Sequence, residues 1–195
     1  PADGGTVTYE ATSPAGAPVP TPGTLPDAIS VSDPNLDPAS IGCTSGTLTI
    51  QDGTTLFPFG DTAVTCTASD TEGNIATAGI TVSVDDFTDP VTTVTGTFTG
   101  IEATAPDGAA VSFTVTATDN TATQTACSAT GATIVEDAAN PGLFTGTFDV
   151  GNTTVSCTTT DQGGNSVIDA FDVSVVDTTP PVVTVSTTPV DTSAI

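Results

Sequence analysis

Phe57-Pro58-Phe59-Gly60-Asp61-Thr62-Ala63-Val64-Thr65-Cys66-Thr67-Ala68-Ser69-Asp70-Thr71-Glu72-Gly73-Asn74 decides the fold, because the chain uses this stretch twice. It returns 91 residues later as Phe148-Asp149-Val150-Gly151-Asn152-Thr153-Thr154-Val155-Ser156-Cys157-Thr158-Thr159-Thr160-Asp161-Gln162-Gly163-Gly164-Asn165. Residues 57–90 align with 148–181 without a gap, and fifteen of the 34 positions are identical, too many for unrelated segments. Thr62 to Thr67 alternates apolar and polar residues with period two, as does Ile80-Thr81-Val82-Ser83-Val84; both predict half-buried strands. Between them, Asp70-Thr71-Glu72-Gly73-Asn74 supplies a hairpin turn from residues that tolerate positive φ. Short β-rich runs broken by Gly, Pro, Asn and Asp predict an all-β chain, and no segment carries a convincing 3.6-residue period.

The repeated frame resembles the hyalin-repeat (HYR) family, whose modules are immunoglobulin-like β-sandwiches. The residues that carry the resemblance are Phe57-Pro58-Phe59-Gly60, Val64-Thr65-Cys66-Thr67-Ala68-Ser69-Asp70, Gly73-Asn74 and the closing Val82-Ser83-Val84 with Asp86. The second copy adds Val173-Ser174-Val175-Val176-Asp177-Thr178-Thr179-Pro180-Pro181. The resemblance fails over residues 14–38, which hold seven of the fifteen prolines and read as a stiff, extended surface loop. It implies extracellular adhesion or surface architecture. The domain reading is a sandwich over 1–87, a second over 88–179, and a strand-bearing tail over 180–195.

In that family an opening strand follows the Asp-Thr-Thr-Pro-Pro junction. Domain two has it at 90–97; domain one enters directly at Thr6-Val7-Thr8-Tyr9-Glu10, which we align with Ala110-Val111-Ser112-Phe113-Thr114. A spare copy of the opening strand, Pro181-Val182-Val183-Thr184-Val185-Ser186-Thr187, follows domain two. A sandwich short of a strand exposes an apolar slot and an unpaired edge, and a free strand fills such an edge. The expectation is head-to-tail homopolymerisation by donor-strand complementation, with Val182, Val183, Val185 and Val190 as donors and Val7, Tyr9 and Ala11 near the receiving slot. The competing expectation is one piece of a longer tandem array, a binding module of a cell-surface adhesin.

Composition removes whole classes of function. The chain has no Lys, Arg or His against 23 Asp plus Glu, a net charge of −23. Nucleic acid and anionic membrane surfaces would repel it. Without His or Lys there is no Ser-His-Asp triad, Schiff base, ordinary zinc site or Lys–Asn isopeptide staple. A two-carboxylate glycosidase has only Glu10, Glu72, Glu102 and Glu136 as glutamates and no Trp platform, so no enzyme is expected. No apolar run is long enough to insert in a membrane. Pro1 reads as a mature N-terminus or as a truncation.

The four cysteines fall one pair per repeat, Cys43 with Cys66 and Cys127 with Cys157, which predicts two intradomain disulfides and an oxidising, extracellular compartment. Chain entropy gives each about 3.5 kcal/mol, useful to domains of about 90 residues with small cores. Asn152-Thr153-Thr154 is a formal glycosylation sequon, while the 44 Thr suit strand faces. No cofactor is required. The acidic junction Asp85-Asp86-Phe87-Thr88-Asp89 offers hard oxygens for calcium through Asp85, Asp86 and Asp89, together with the turn residues Asp70, Glu72 and Asn74, or is a solvated linker. Divalent ions would also bundle such acidic filaments.

Overall fold

The computed structural model describes residues 4–18, 31–46, 48–50 and 55–185. Domain one contains β1 (Gly5–Glu10), β2 (Ala17–Pro18), β3 (Gly42–Ser45), β4 (Leu48–Thr49), β5 (Leu56–Phe57), β6 (Gly60–Ser69) and β7 (Ile75–Asp85). Domain two contains β8 (Val91–Gly96), β9 (Ile101–Glu102), β10 (Ala109–Thr118), β11 (Thr123–Ala129), β12 (Ile134–Glu136), β13 (Leu143–Phe148), β14 (Gly151–Asp161) and β15 (Ser166–Val176). The helical structure among the described residues is a single 3-10 turn, Pro38–Ser40, capped by the Asp37 carboxylate on Ala39 N. No helix among the described residues is long and apolar enough to cross a membrane.

Domain two is a two-sheet sandwich, β12-β13-β10-β8 against β11-β14-β15-β9. Alternation along the strands builds its core: Val155, Cys157 and Thr159 face inward from β14, Val173 and Val175 from β15. Phe113 is the centre of an aromatic group, stacked on Phe144 and edge-on to Phe98 and Phe171. Domain one repeats the second of these sheets as β1-β7-β6-β3-β4, with Val64, Cys66, Val82 and Val84 inward. The predicted strands at Thr62 to Thr67 and Ile80 to Val84 lie inside β6 and β7, joined by the predicted turn with Gly73 at φ 86°.

Both disulfides form as predicted. Cys43 stands opposite Cys66 in the β3–β6 ladder and Cys127 opposite Cys157 in the β11–β14 ladder. Each therefore staples neighbouring strands of one sheet, where antiparallel pairing brings facing side chains closest.

The structure corrects one alignment. β1 is not the counterpart of β10; it pairs in parallel with β7, as β9 pairs in parallel with β15. Ala11 N donates to Asp85 O and Ala103 N to Val176 O, both at 2.7 Å. The chain then makes the same tight turn in each domain, with Gly16 N on Ser13 O and Gly108 N on Ala105 O. Gly16 (φ 120°) and Gly108 (φ 97°) are obligatory there, since a Cβ would lie 1.9 Å from the Phe57 or Phe148 carbonyl oxygen. Beyond the turn, Ala17 pairs with Phe57 as Ala109 pairs with Phe148. Hence β2 takes the place in domain one that the start of β10 holds in domain two, and the proline-rich segment is built into the fold as far as Pro18.

The sequence carries this in Glu10-Ala11-Thr12-Ser13-Pro14-Ala15-Gly16-Ala17 against Glu102-Ala103-Thr104-Ala105-Pro106-Asp107-Gly108-Ala109. That match is offset by 92 residues rather than 91, so extending the gapless frame backwards misses it.

Candidate functional site

The junction between the domains is held by a set of side-chain hydrogen bonds from both. As β7 ends, Glu10 at the end of β1 turns its carboxylate onto the departing chain. It accepts Phe87 N at 3.0 Å and the Thr88 hydroxyl at 2.8 Å. Thr88 N then donates to Asp86 Oδ1 at 3.1 Å, which fixes the linker as a tight local turn.

Domain two closes over the same residues. The Thr121 hydroxyl donates to Asp86 Oδ2, and Asn165 Nδ2 lies 2.9 Å from Asp86 O and 3.2 Å from Thr88 O. Asn165 is held in turn by Asp161, whose carboxylate accepts Gly164 N, Asn165 N and Asn165 Nδ2 at 2.7–2.9 Å. Asp119 Oδ1 accepts Thr121 N at 3.1 Å. Gly163 makes the contact possible: a Cβ there would stand 2.5 Å from Asp86 O and 2.8 Å from Asp86 Cβ.

Three carboxylates converge at this point. Oxygens of Asp86, Asp119 and Asp161 all lie within 4.8 Å of one another. Burial pushes Asp86 up, but the Thr121 hydroxyl and the Thr88 amide outweigh it and hold the carboxyl below its usual value. Burial pushes Asp119 up as well, and the neighbouring charges of Asp86 and Asp161 add to it despite the Thr121 amide, so its carboxyl sits above the usual value.

Of the junction acids and turn residues read from sequence, Asp86 alone belongs to this group; Asp70 and Asn74 bond each other within their own turn, and the turn that meets Asp86 is domain two's, through Asp161. Asp85 accepts the Ser83 hydroxyl at 3.2 Å, and Asp89 is exposed on the linker. Asp161 was visible in the repeated frame as a turn residue. Asp119 carries no signal in the sequence, and Glu10 is read there only as one of four glutamates, although the eight-residue match that contains Glu10 and Glu102 is a usable signal for its role at the junction.

The second end of the molecule repeats half of the junction. Glu102 accepts Thr178 N and the Thr178 and Thr179 hydroxyls, each at 2.8 Å, and Thr179 N lies 3.2 Å from Asp177 Oδ1. The Thr178 amide, then the two hydroxyls, hold the Glu102 carboxyl below its ordinary value. The chain therefore leaves domain two in the same grip with which it leaves domain one. Past it, Val182, Val183 and Val185 are 87, 85 and 83% exposed. Val190 lies outside the described residues.

The receiving residues read from sequence sit on and just after β1, not on β2. Val7 and Tyr9 pack against the core of domain one from β1, and Ala11 is fully buried. Burial raises the Tyr9 phenol, whose hydroxyl has no hydrogen-bond partner among the described residues. Among the described residues, no strand of domain one takes the place that β8 holds beside β10. Asn152 is exposed at the start of β14.

No protein-family model matches the chain, so the hyalin-repeat resemblance stands on the residues quoted for it. No curated protein matches it. Among solved structures, fibronectin(III)-like modules of CbhA from Clostridium thermocellum align at 16% identity and TM-score 0.40, covering 91% of this chain and 92% of that one. The protocadherin gammaB7 EC3-6 cis-dimer aligns at 16% identity and TM-score 0.38, covering 90% and 46%. The human desmocollin-1 ectodomain gives 16% identity and TM-score 0.30, covering 90% and 36%. The chain spans about half the length of the protocadherin chains it matches.

Proposed function

We propose that this protein is a non-enzymatic structural module of an extracellular assembly, joined to a second copy through the strand carried in residues 180–195. The observation that carries the reading is the exposed apolar segment after the Glu102 grip. Val185 occupies the position of Val94, which packs on the domain-two core from β8 opposite Val115. The domain-one residues equivalent to those that pair with β8 follow Pro18 and lie outside the described residues. Val7, Tyr9 and Ala11 then form the floor of the slot rather than its edge. Burying each valine contributes about 1.5–3 kcal/mol, against about 1–2 kcal/mol per residue for ordering the backbone. Two disulfides fit the oxidising compartment that a surface assembly occupies.

One observation favours a second reading, in which the strand opens the next sandwich of a longer polypeptide. Domain one carries Glu72 where Gly163 makes room for the incoming linker. A tail arriving at domain one from another copy must take a different path over this turn.

Deletion of residues 180–195, compared with the whole chain by light scattering and negative-stain microscopy, separates the readings. Strand donation predicts concentration-dependent fibres from the whole chain and monomers from the truncation. Monomers from both, at all concentrations, favour the tandem-array module.

A further inference from the structure

Asp86 is 3% exposed and Asp161 7%, and Asp119 stands against both. Burying like charges together is strongly unfavourable unless an opposite charge answers them. In most proteins Lys or Arg supplies that charge; this chain has neither, and no His. The donors that reach the group are neutral, from Thr88, Thr121, Gly164 and Asn165. They leave Asp119 Oδ2 unanswered: that atom is shut off from solvent and has no hydrogen-bond partner among the described residues.

We propose that Asp86, Asp119 and Asp161 bind a divalent cation, calcium, that ties the linker to domain two. The donor set is all hard oxygen with neither imidazole nor free thiol, which selects calcium or magnesium over zinc or copper. Ligand atoms within 4.8 Å of one another fit the shell of a calcium ion, whose oxygens lie about 2.4 Å from the metal. The irregular origin of the three side chains suits calcium's flexible coordination better than magnesium's strict octahedron.

The three come from the chain just after β7, from just past β10, and from the end of β14. An ion among them joins the residue that leaves domain one to two loops of domain two. It converts a hinge of mutually repelling carboxylates into a fixed connection. The site requires nothing of the tail, so it stands whether that segment pairs with another molecule or with a following sandwich.

Calcium titration of the EGTA-treated whole chain by calorimetry, with thermal unfolding alongside, tests the site. The expected result is one saturable event and a raised unfolding midpoint. Asp119→Asn should weaken the binding by about tenfold or more, and in EGTA it should melt no lower than the parent, since a charge has left the group. Asp107→Asn, at an exposed acid of the Ala105–Gly108 turn, should leave calcium binding unchanged. Absence of saturable binding up to about 10 mM calcium overturns the proposal. So does an Asp119→Asn variant that binds as tightly as the parent, which would assign the ion to scattered surface acids. Should Asp119→Asn fail to fold, Asp86→Asn reads the same loss.

Discussion

Gly163 shows how much of this junction depends on a single missing side chain. A methyl group there must displace the Asp86 backbone, which is itself held by Asn165. Gly163→Ala should therefore cost about 1–3 kcal/mol, the range for forcing atoms into a filled space. Urea unfolding of the whole chain measures it, and an unchanged midpoint would mean that the linker yields freely. Nothing in the local sequence announces this role, because Gln162-Gly163-Gly164 reads as an ordinary turn. The corresponding Thr71-Glu72-Gly73 shows that the hairpin closes equally well with glutamate. What excludes a side chain at 163 is the linker, a contact made across about 75 residues of chain.

At the scale of elements, the two glutamate grips are the devices that aim each domain's exit. Glu102 is held as a carboxylate by Thr178 and Thr179. Its folded-state value is depressed, so its contribution is present above the usual glutamate range and is lost as pH falls through the lowered value. Acidification should then free residues 178–185 from domain two before the sandwich itself unfolds. Amide hydrogen exchange at Thr178 checks this: its protection should fall in that pH range in the parent and be low throughout in Glu102→Gln. The strands these grips terminate were legible in the sequence, since period-two alternation fixes which face of β6, β7, β14 and β15 turns inward. The partner of β1 was not. Thr6-Val7-Thr8-Tyr9-Glu10 alternates in the same way whether it pairs in parallel with β7 or lies in the opposite sheet. The Gly16 turn decides the matter by returning the chain, at Ala17, to Phe57 six residues after Ala11 makes the last hydrogen bond to β7's end.

At the scale of the whole molecule, a chain with net charge −23 and no cation repels itself throughout. Raising sodium chloride from about 0.01 to 0.15 M shortens the screening length from about 30 to 8 Å. The unfolding midpoint should rise over that interval, and calorimetric scans across a salt series measure the slope. A flat response would mean that the acids are too far apart to interact. The amino-acid sequence alone determined the repeat, the all-β class, the pairing of Cys43 with Cys66 and Cys127 with Cys157, and the lack of any Lys, Arg or His side chain. Those properties follow from local alternation, duplication and residue types, which a linear chain displays directly. Only the tertiary structure decided that Asp86 meets Asp119 and Asp161 while Asp85 and Asp89 turn elsewhere. Successive residues of an extended strand or linker point to opposite sides, so neighbours in sequence are separated in space. Carboxylates from three distant turns are brought together by the packing of one sandwich on the end of another.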